Sequence, residues 1–344
     1  MIVYSLASVS YGVAQEKEYL MDGRTHAASA VQSFGGVGRN VADALGRLMP
    51  PSHPLPLFIS VVGNDSPGKS LLSNLKHLDT TGVLISSEES TASYTALLDQ
   101  KGECLMGIGD MAAHMLITEE HVSKFLPTLK RCPLLIVDGN IPQETMDYVL
   151  RETKQMGIPV WFEPTDVKKA TKAFTSGEVI DFASPNLNEL RAITGTEGTI
   201  RNPINGDSDP TKVILQEAYE LSHIAMDMVN TLFVTLGKLG VMVTSKGCIN
   251  DPLIKCGATE NPTTRLYSPP FISKFISVSG AGDCFAAGVL AGMLRGLPES
   301  QCVAAGTAAA AMSIASHPTV PQDMKASSIM WDSTAKYQSY SHDF

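Results

Sequence analysis

The sequence has little of what marks the more specialised classes of protein. Its six cysteines, in 344 residues, form no CxxC pair and lie near no histidine at zinc-finger spacing. Reduced thiols in the cytoplasm are therefore expected, rather than a disulfide framework or a structural zinc site. No apolar stretch reaches the roughly 20 residues that a membrane span requires. Acidic residues outnumber basic ones by 35 to 26, and the basic residues do not cluster, so nucleic acid and anionic membranes are not expected partners.

What the sequence does contain is a regular alternation of short β-branched runs and longer segments of helical period. Strands are predicted at 57–62, 134–138, 160–163, 179–183, 231–236 and 241–244. Helices are predicted at 37–48, 69–78, 119–130, 143–156, 187–194 and 212–229, with two more packed together in the Ala- and Gly-rich segment 282–316. Such alternation is typical of parallel strands joined by crossover helices. The predicted fold class is α/β, with three α/β/α layers around a mostly parallel central sheet.

Two segments, 93–98 and 103–108, depart from this alternation because the four residues between them read as a hairpin turn. We expect this hairpin, near 90–108, to project from the sheet as a small β lid. Residues 198–210 are expected to form a surface loop. Residues 1–330 are expected to form a single domain, and the polar residues 331–344 a frayed C-terminal tail.

A first candidate phosphate site lies at residues 63–70, which match the P-loop pattern GxxxxGK(S/T) and follow an apolar strand. Two of its residues fit that function poorly. Pro67 removes a backbone N–H from a loop that must aim such groups at phosphate, and Asp65 adds a negative charge there. The alternative is a strand, a turn that contains Asp65, and a glycine-led helix start.

A second candidate phosphate site is formed by Gly280, Ala281, Gly282 and Asp283, which open an apolar helix. Small residues let a ligand approach the backbone, and free N–H groups at the positive end of the helix dipole make an anion hole. An aspartate would repel phosphate there unless it acts as a base toward a hydroxyl held beside the phosphate. The same four residues also fit an ordinary helix N-cap.

Weaker signals elsewhere favour a nucleotide site. Asn186 and Glu189 stand at i and i+3 after a strand, on one helix face, where a carboxylate and an amide could hold Mg²⁺ through water. Thr235, Gly237 and Gly240 lie at a strand end, where a polyphosphate or a purine can rest against the backbone. Each of these fragments also fits a turn or a cap.

Taken in chain order, five segments resemble those of the PfkB, or ribokinase-like, carbohydrate kinases, namely 35–40, 63–65, 186–189, 235–240 and 280–283. The resemblance covers about Ser33 to Ser316, which is most of the chain. It implies a ribokinase-like fold and transfer of a phosphoryl group from ATP, with Mg²⁺, to a hydroxyl group. In that family the first candidate site is a structural turn, so the resemblance implies that the P-loop match is coincidental.

The resemblance also implies roles for individual residues. Asp283 is implied to be the base that takes the proton from a primary hydroxyl, while backbone N–H groups from Gly280 to Asp283 stabilise the transferred phosphoryl group. Glu189 is implied to organise the metal. The other implied positions are Asn186, Thr235, Gly237 and Gly240 along the nucleotide, and Gly35, Gly36, Arg39, Asn40 and Asn140 at the substrate. The lid is implied to close over the sugar and exclude water.

Within the family, residues 32–40 look most like the pseudouridine kinases, with Arg39 beside Asn40 as the distinctive part, and segments 138–140 and 162–165 agree. This implies a cytoplasmic enzyme that converts pseudouridine to pseudouridine 5′-phosphate, a small-molecule substrate, with neither nucleic acid nor membrane as partner. Arg39 also fits a solvated helix residue. A homodimer is left open.

The chain departs from the family pattern in two places. Relatives begin with a strand that ends in Asp, whereas no acidic residue precedes Glu16 here, so the first strand is expected to be missing or replaced. Many relatives carry Asp-Thr at a monovalent-cation site where Ser277 and Val278 stand here, so dependence on such a cation is left open. The alternative functions are a PfkB kinase acting on ribose or adenosine, a catalytically weak member with an altered N-terminal sugar site, and a P-loop NTPase that uses Lys69.

Overall fold

The structure is a computed structural model that describes residues 2–4, 8–15, 28–98, 104–196, 209–255, 261–269, 272 and 274–340. The strands of these segments are β1 Ile2–Tyr4, β2 Ser8–Gln15, β3 Ala28–Gly35, β4 Leu57–Gly63, β5 Asp79–Ser86, β6 Ser93–Leu98, β7 Cys104–Asp110, β8 Leu135–Asp138, β9 Val160–Glu163, β10 Ile180–Ala183, β11 Val229–Thr235, β12 Val241–Ser245, β13 Thr263–Tyr267 and β14 Tyr337–Tyr340. The α-helices are α1 Val37–Leu48, α2 Ser66–Ser73, α3 Glu119–Ser123, α4 Leu126–Leu129, α5 Gln143–Met156, α6 Leu187–Ile193, α7 Pro210–Ala225, α8 Ala281–Leu294 and α9 Glu299–Ile314. No helix in these segments is long and apolar enough to cross a membrane.

The large sheet has ten strands in the order β14-β13-β12-β11-β10-β9-β8-β1-β4-β5. The seven strands from β11 to β5 run parallel, and β12, β13 and β14 add an antiparallel edge. Helices α1, α2, α8 and α9 pack on one face, and α3 to α7 pack on the other. Alternating residues of β4 serve both cores: Phe58 and Val62 face the first, and Ile59 and Val61 face the second. The predicted α/β/α layers and mostly parallel sheet are confirmed.

A second sheet contains the predicted lid hairpin. Its order is β3-β2-β6-β7, with β6 and β7 antiparallel, as expected for 93–108. The expected turn at 99–102 and most of the expected loop at 198–210 lie outside the described residues. Strands β2 and β3 were not predicted from the sequence. They pair with each other and β2 pairs with β6, so the lid is a four-stranded sheet rather than a lone hairpin.

The two ends of the chain differ from expectation. The first strand was expected to be missing or replaced, but β1 lies inside the large sheet, with Val3 beside Phe58 of β4 and Ile136 of β8. The tail was expected to fray, but β14 pairs with β13, and the ring of Tyr337 packs 5.3 Å from that of Tyr267. Two of the four residues of β14 are tyrosines, and aromatic residues favour strands, although this strand lies largely exposed at the edge of the sheet. The division into one domain and a tail stays a prediction.

The helix predicted at 119–130 is broken in two. Helix α3 ends at Ser123 and α4 begins at Leu126, with Pro127 in the first turn of α4. Proline has no N–H for the preceding turn and its ring clashes with the carbonyl four residues earlier, so it starts a helix but does not continue one. The hydrophobic periodicity of residues 119–130 does not indicate this break.

Candidate active site

The candidate site lies where helices α1 and α8 begin, beside the carboxyl ends of the parallel strands. The two helices pack against each other, and the Nδ2 of Asn40 on α1 donates to Oδ2 of Asp283 on α8 at 2.6 Å. Asp138 ends β8, and its Oδ2 accepts from the backbone N–H of Gly38 in the first turn of α1 at 3.0 Å. The carboxyl ends of parallel strands are the usual place for a ligand in an open α/β sheet.

Helix α8 begins with its N–H groups open to a ligand. Gly280 precedes it in the left-handed region, with φ of 81°, and a Cβ there would come within 2.6 Å of the Thr319 carbonyl oxygen. Ala281 N–H donates to the Val278 carbonyl, but the N–H groups of Gly282 and Asp283 have no acceptor among the residues described. A Cβ on Gly282 would meet nothing within 4 Å. Open space over two unpaired N–H groups at the positive end of a helix suits an anion.

Asp283 stands at the rim of this opening and keeps part of its surface exposed. Its pKa is raised to about 6, chiefly because the surrounding protein disfavours the charged carboxylate. The hydrogen bond from Asn40 and the charge of Arg39 oppose this shift, whereas the carboxylates of Asp138 and Glu189 add to it. A carboxyl with this pKa is ionised at pH 7 and is a better proton acceptor than an ordinary aspartate.

Asn186 and Glu189 form a capping box at the start of α6. Oδ1 of Asn186 accepts from the Glu189 N–H at 3.0 Å, and Oε2 of Glu189 accepts from the Asn186 N–H at 2.8 Å. Oε1 of Glu189 takes no part in the box. Glu189 can therefore cap the helix and also bind a metal ion, so the two interpretations of this residue are compatible. Burial raises the pKa of Glu189, and a nearby cation would offset that cost.

The residues present fit a metal that arrives with a nucleotide rather than one caged by the protein. No cluster of three His, Cys, Asp or Glu side chains in the described segments could hold a metal ion. Mg²⁺ usually binds one or two carboxylates and completes its shell with phosphate oxygens and water. Glu189, with one oxygen outside the capping box, is suited to that arrangement.

The loop after β11 lies next to this cap. Thr235 and Asn186 form a parallel β-bridge, and the Thr235 N–H donates to the Pro185 carbonyl. Gly237 and Gly240 both have positive φ, 57° and 99°. A Cβ on Gly237 would meet open space, whereas one on Gly240 would come within 2.0 Å of the Tyr267 carbonyl oxygen. Gly240 thus makes the turn, while Gly237 leaves backbone accessible to a ligand.

Helix α1 places Arg39 and Asn40, the two side chains that were expected at the substrate, in different surroundings. Gly36, with φ of 95°, precedes the helix, and Asn40 one turn later faces Asp283. Arg39 is only 3% exposed, so it is not a solvated helix residue. Its guanidinium donates to protein oxygens, including those of Gly35 and Asp43. The expected direct contact of Arg39 with substrate stays a prediction that this burial does not support.

Asn140 follows β8 and is held at both ends of its side chain. Its Nδ2 donates to Asp138 at 2.8 Å, and its Oδ1 accepts from the ammonium of Lys169 at 3.0 Å. Asp138 itself is fully buried. The structure therefore places Asn140 beside the start of α1, through their shared contact with Asp138.

The fold brings to this site three charged residues that were assigned no site role from the sequence: Asp138, Glu163 and Lys169. Asp138 and Glu163 stand in segments 138–140 and 162–165, which were noted only for their resemblance to the pseudouridine kinases. Glu163 ends β9 and is buried, with Oε1 accepting from the Trp161 indole at 2.6 Å. Its pKa is raised well above the usual range by burial, and the carboxylates of Asp283, Glu189 and Asp138 add to the shift. Asp138 and Glu163 each stand at the end of an otherwise apolar strand, and that pattern could have predicted a place for them at the site.

The P-loop match at residues 63–70 is a structural turn. The carboxylate of Asp65 faces the protein, caps α2 through the Gly68 N–H at 2.8 Å, and accepts from the backbone and hydroxyl of Thr91. An N–H that a P-loop would aim at phosphate is thus already occupied. A Cβ on Gly68 would also meet the Gly63 carbonyl at 2.4 Å, which explains the spacing of these glycines without a ligand.

Comparisons with known proteins agree with this architecture. Residues 3–324 match the family model described as pfkB family carbohydrate kinase. The chain is 26% identical to pseudouridine kinase of Arabidopsis thaliana, over 92% of this chain and 91% of the relative. It is 27% identical to pseudouridine kinase of Escherichia coli K12, over 86% and 84%.

Among solved structures, ribokinase of Arabidopsis thaliana complexed with ribose and ATP has the same fold. It superposes with a TM-score of 0.70 at 21% identity, covering 95% of this chain and 94% of that one. The family match spans nearly the whole chain and both packed faces of the large sheet. The chain therefore belongs to the PfkB family of carbohydrate kinases, and it is a phosphotransferase that acts on a hydroxyl group.

Proposed function

We propose that this enzyme transfers the terminal phosphoryl group of ATP to the 5′-hydroxyl of pseudouridine. The observation that carries the proposal is the placement of Asp283, a partly exposed carboxylate at the open N-terminus of α8, hydrogen-bonded to Asn40 at 2.6 Å. This arrangement puts a base and an anion hole side by side. Phosphoryl transfer depends mainly on such positioning and charge stabilisation.

Asp283 acts as the general base. As the hydroxyl oxygen bonds to the terminal phosphorus, its proton passes to the Asp283 carboxylate, and the bond between that phosphorus and the β-phosphate oxygen breaks, leaving its electron pair on ADP. Asn40 donates to Asp283 in the free enzyme, and its amide can also contact a substrate hydroxyl. The backbone N–H groups of Gly282 and Asp283 stabilise the charge on the transferred group.

Glu189 and the loop at 235–240 bind the nucleotide side of the reaction. Mg²⁺ supplies charge neutralisation between the phosphates, and Glu189 is the carboxylate that would hold it, through the oxygen outside its capping box. Gly237 leaves room for the nucleotide against the backbone. Thr235, bridged to Asn186, keeps the loop beside the cap.

The lid sheet covers the sugar in this proposal. Its strand β6 begins two residues after Thr91, which the Asp65 carboxylate anchors to the core through two hydrogen bonds, at 2.8 and 2.6 Å. A lid tied at its base can move as a unit over the substrate. Closure would exclude water and limit wasteful hydrolysis of ATP.

Pseudouridine is proposed because two pseudouridine kinases match most of the chain and because the run from Gln32 to Asn40 resembles theirs. A ribokinase of Haemophilus influenzae is 24% identical over 82% of this chain, so ribose is the main competitor. A coupled ATP-consumption assay should compare pseudouridine, uridine, adenosine, ribose and fructose. We expect the highest kcat/KM for pseudouridine. Preference for ribose would overturn the substrate, and tight binding of pseudouridine without turnover would favour a catalytically weak family member.

The pH dependence should report Asp283. A base must be unprotonated, and the pKa of Asp283 is raised to about 6, so kcat/KM should fall about tenfold per pH unit below 6. An aspartate with its ordinary pKa would keep activity down to about pH 4. The nucleoside is varied at saturating MgATP between pH 4.5 and 8, so that protonation of the nucleotide does not set the slope. A flat profile down to pH 5 would count against Asp283 as the base.

Changing Lys69 to Ala should leave turnover within about twofold of the wild type, because exposed residues away from a site rarely matter. Lys69 is exposed on α2, a helix whose capping aspartate faces the protein. A P-loop NTPase would lose its activity with this lysine. The same ATP-consumption assay distinguishes the two, and loss of turnover would restore the P-loop interpretation.

We propose that the enzyme works in the cytoplasm, where reduced thiols such as those of Cys132, Cys284 and Cys302 persist. Burial raises the pKa of the thiols of Cys284 and Cys302, which keeps them unreactive. Neither a homodimer nor a dependence on monovalent cations is part of this proposal.

A further inference from the structure

Arg39 makes a dense set of contacts directly behind the proposed base. Its Nε donates to the Gly35 carbonyl at 3.3 Å, and its Nη1 donates to Asp43 at 2.7 Å. Its Nη2 donates to the Phe34 carbonyl at 2.7 Å, lies 3.4 Å from the Thr319 hydroxyl, and also donates to Oδ1 of Asn40. A planar guanidinium with several fixed donors is the one side chain suited to hold such a set of oxygens.

These contacts determine which way the Asn40 amide points. Its Oδ1 accepts from Arg39 and from the Thr319 hydroxyl at 3.3 Å, so its Nδ2 faces Asp283. If the amide were turned over, its NH₂ group would meet a guanidinium that cannot accept, and its oxygen would meet a carboxylate. Both contacts would be repulsive, and the amide is held in one orientation.

Arg39 is itself anchored on the side away from Asn40. The buried carboxylate of Asp43 binds Arg39, Arg47 at 2.6 Å and His77 at 2.7 Å. A cavity of about 320 Å³ borders Arg39, Asp43 and Arg47 but neither Asn40 nor Asp283. The anchor is therefore separate from the reacting groups, and Arg39 is the side chain that, in the described part of the chain, bonds to both Asp43 and Asn40.

We propose that Arg39 is a positioning residue, which holds the Asn40 amide in the orientation that donates to Asp283. The inference rests on the proposed function for its effect on catalysis, but not for the orientation itself. Arg39 then contributes to turnover without touching substrate. This differs from the direct substrate contact that the family resemblance implies.

Arg47 provides a matched control. It lies two turns further along α1, carries the same charge and binds the same Asp43 carboxylate. Its other hydrogen bond in the described structure runs from Nη1 to the Gln322 carbonyl and not to Asn40. Replacing either arginine with Met removes one cation from Asp43. Only Arg39→Met removes the donor to Asn40.

The first experiment observes the Asn40 side chain directly, by NMR of protein labelled with ¹⁵N at asparagine, with the signal assigned from Asn40→Ala. We expect Arg39→Met to move the Asn40 amide signal toward that of solvent-exposed asparagines, and Arg47→Met to leave it in place. An unchanged signal in Arg39→Met, or an equal change in Arg47→Met, would overturn the proposal. This readout needs no activity, so it stands even if the proposed function fails.

The second experiment measures turnover of pseudouridine. Misplacement of a reacting group by about 1 Å can lower the reaction rate about 100-fold. We therefore expect kcat of Arg39→Met to fall about 100-fold, while KM for ATP changes less than about threefold. Arg47→Met should retain wild-type kcat. Equal losses in the two variants would show that Arg39 is merely structural.

The acidic limb of the kcat/KM profile should also move to higher pH in Arg39→Met, because a cation and an oriented donor near Asp283 are lost together. The other charged or titratable groups that act on Asp283 stay in place, namely Asp138, Glu163, Glu189 and Cys284. If Arg39→Met does not fold, Arg39→Lys keeps the charge, and the NMR signal of Asn40 and kcat remain the readouts. A lysine cannot bind Asp43 and Asn40 with the same geometry, so the Asn40 signal should still move, and a wild-type signal would overturn the proposal.

Discussion

Asp283→Asn should lower kcat by about 10²- to 10⁴-fold, the range that a general base contributes, while the enzyme still binds ATP. An amide cannot accept the hydroxyl proton, but it is close in shape and can still receive the Asn40 hydrogen bond. Turnover is measured with pseudouridine and nucleotide binding by calorimetry. Retention of more than about a tenth of wild-type kcat would remove Asp283 from its proposed role.

Thermal stability provides the folding control for this variant. The pKa of Asp283 is about 6 in the folded protein, above its ordinary 3.8. The stability that this group contributes is therefore present below pH 3.8 and lost as pH rises through 6. The amide of Asp283→Asn does not ionise, so this variant does not lose stability as the pH rises. Its Tm should therefore exceed the wild-type value by a few degrees at pH 8 and match it more closely at pH 4. A lower Tm at pH 8 would mean that lost activity reflects misfolding.

Gly280→Ala and Gly282→Ala should show which glycine is needed to fold the anion hole and which keeps space for the phosphate. At Gly280, φ is 81° and a Cβ would lie 2.6 Å from the Thr319 carbonyl oxygen. The left-handed conformation alone costs about 1–2 kcal/mol for a residue with a side chain, and the backbone contact adds to it. We expect Gly280→Ala to lower both Tm and kcat, the latter by about 10²-fold or more because the N–H groups of the hole move.

Gly282→Ala is the matched change on the same turn. Its φ is not positive and a Cβ there meets nothing within 4 Å, so Tm should stay level or rise, since Ala favours helix by about 1 kcal/mol. The added methyl stands in the open space beside the N–H groups, so turnover should still fall. Melting curves and kinetics are measured on both variants. Full activity in Gly282→Ala would mean that no phosphate approaches this turn.

Local features of this fold were predictable because their signals are short-range. The apolar stripe of α1 predicts 37–48, and the helix has those bounds. The sequence of the hairpin predicts β6 and β7. Asn186 and Glu189 at i and i+3 are a capping-box pattern, and the box is formed. In each case residues fewer than about 20 apart determine the structure.

The contacts that define the site are long-range, and the sequence alone did not predict them. Asn40 and Asp283 are 243 residues apart, and no pattern states that they share a hydrogen bond. The burial of Arg39 follows from Asp43 on its own helix and Thr319 on a distant loop. The lid also contains β2 and β3, which were not predicted. In β2, Val9, Tyr11 and Val13 do alternate with small or polar residues, but β3 lacks this alternation, and β2 pairs with β6 across more than 80 residues of sequence.

The P-loop match shows why a pattern needs its structural context. The residue types at 63–70 match the motif, but a P-loop also requires backbone N–H groups that converge on an open concavity for the phosphate. Here the Asp65 carboxylate fills that position and binds Gly68 and Thr91. The presence of Pro67 and Asp65 already argued from the sequence against a phosphate-binding loop at this position.

The most direct test is a crystal structure of the enzyme with pseudouridine and a non-hydrolysable ATP analogue. The account predicts the 5′-oxygen within hydrogen-bond reach of the Asp283 carboxylate, at about 2.6–3.2 Å, with the terminal phosphate on the N–H groups of Gly282 and Asp283. A phosphate bound at residues 63–70, or a 5′-hydroxyl far from Asp283, would contradict it.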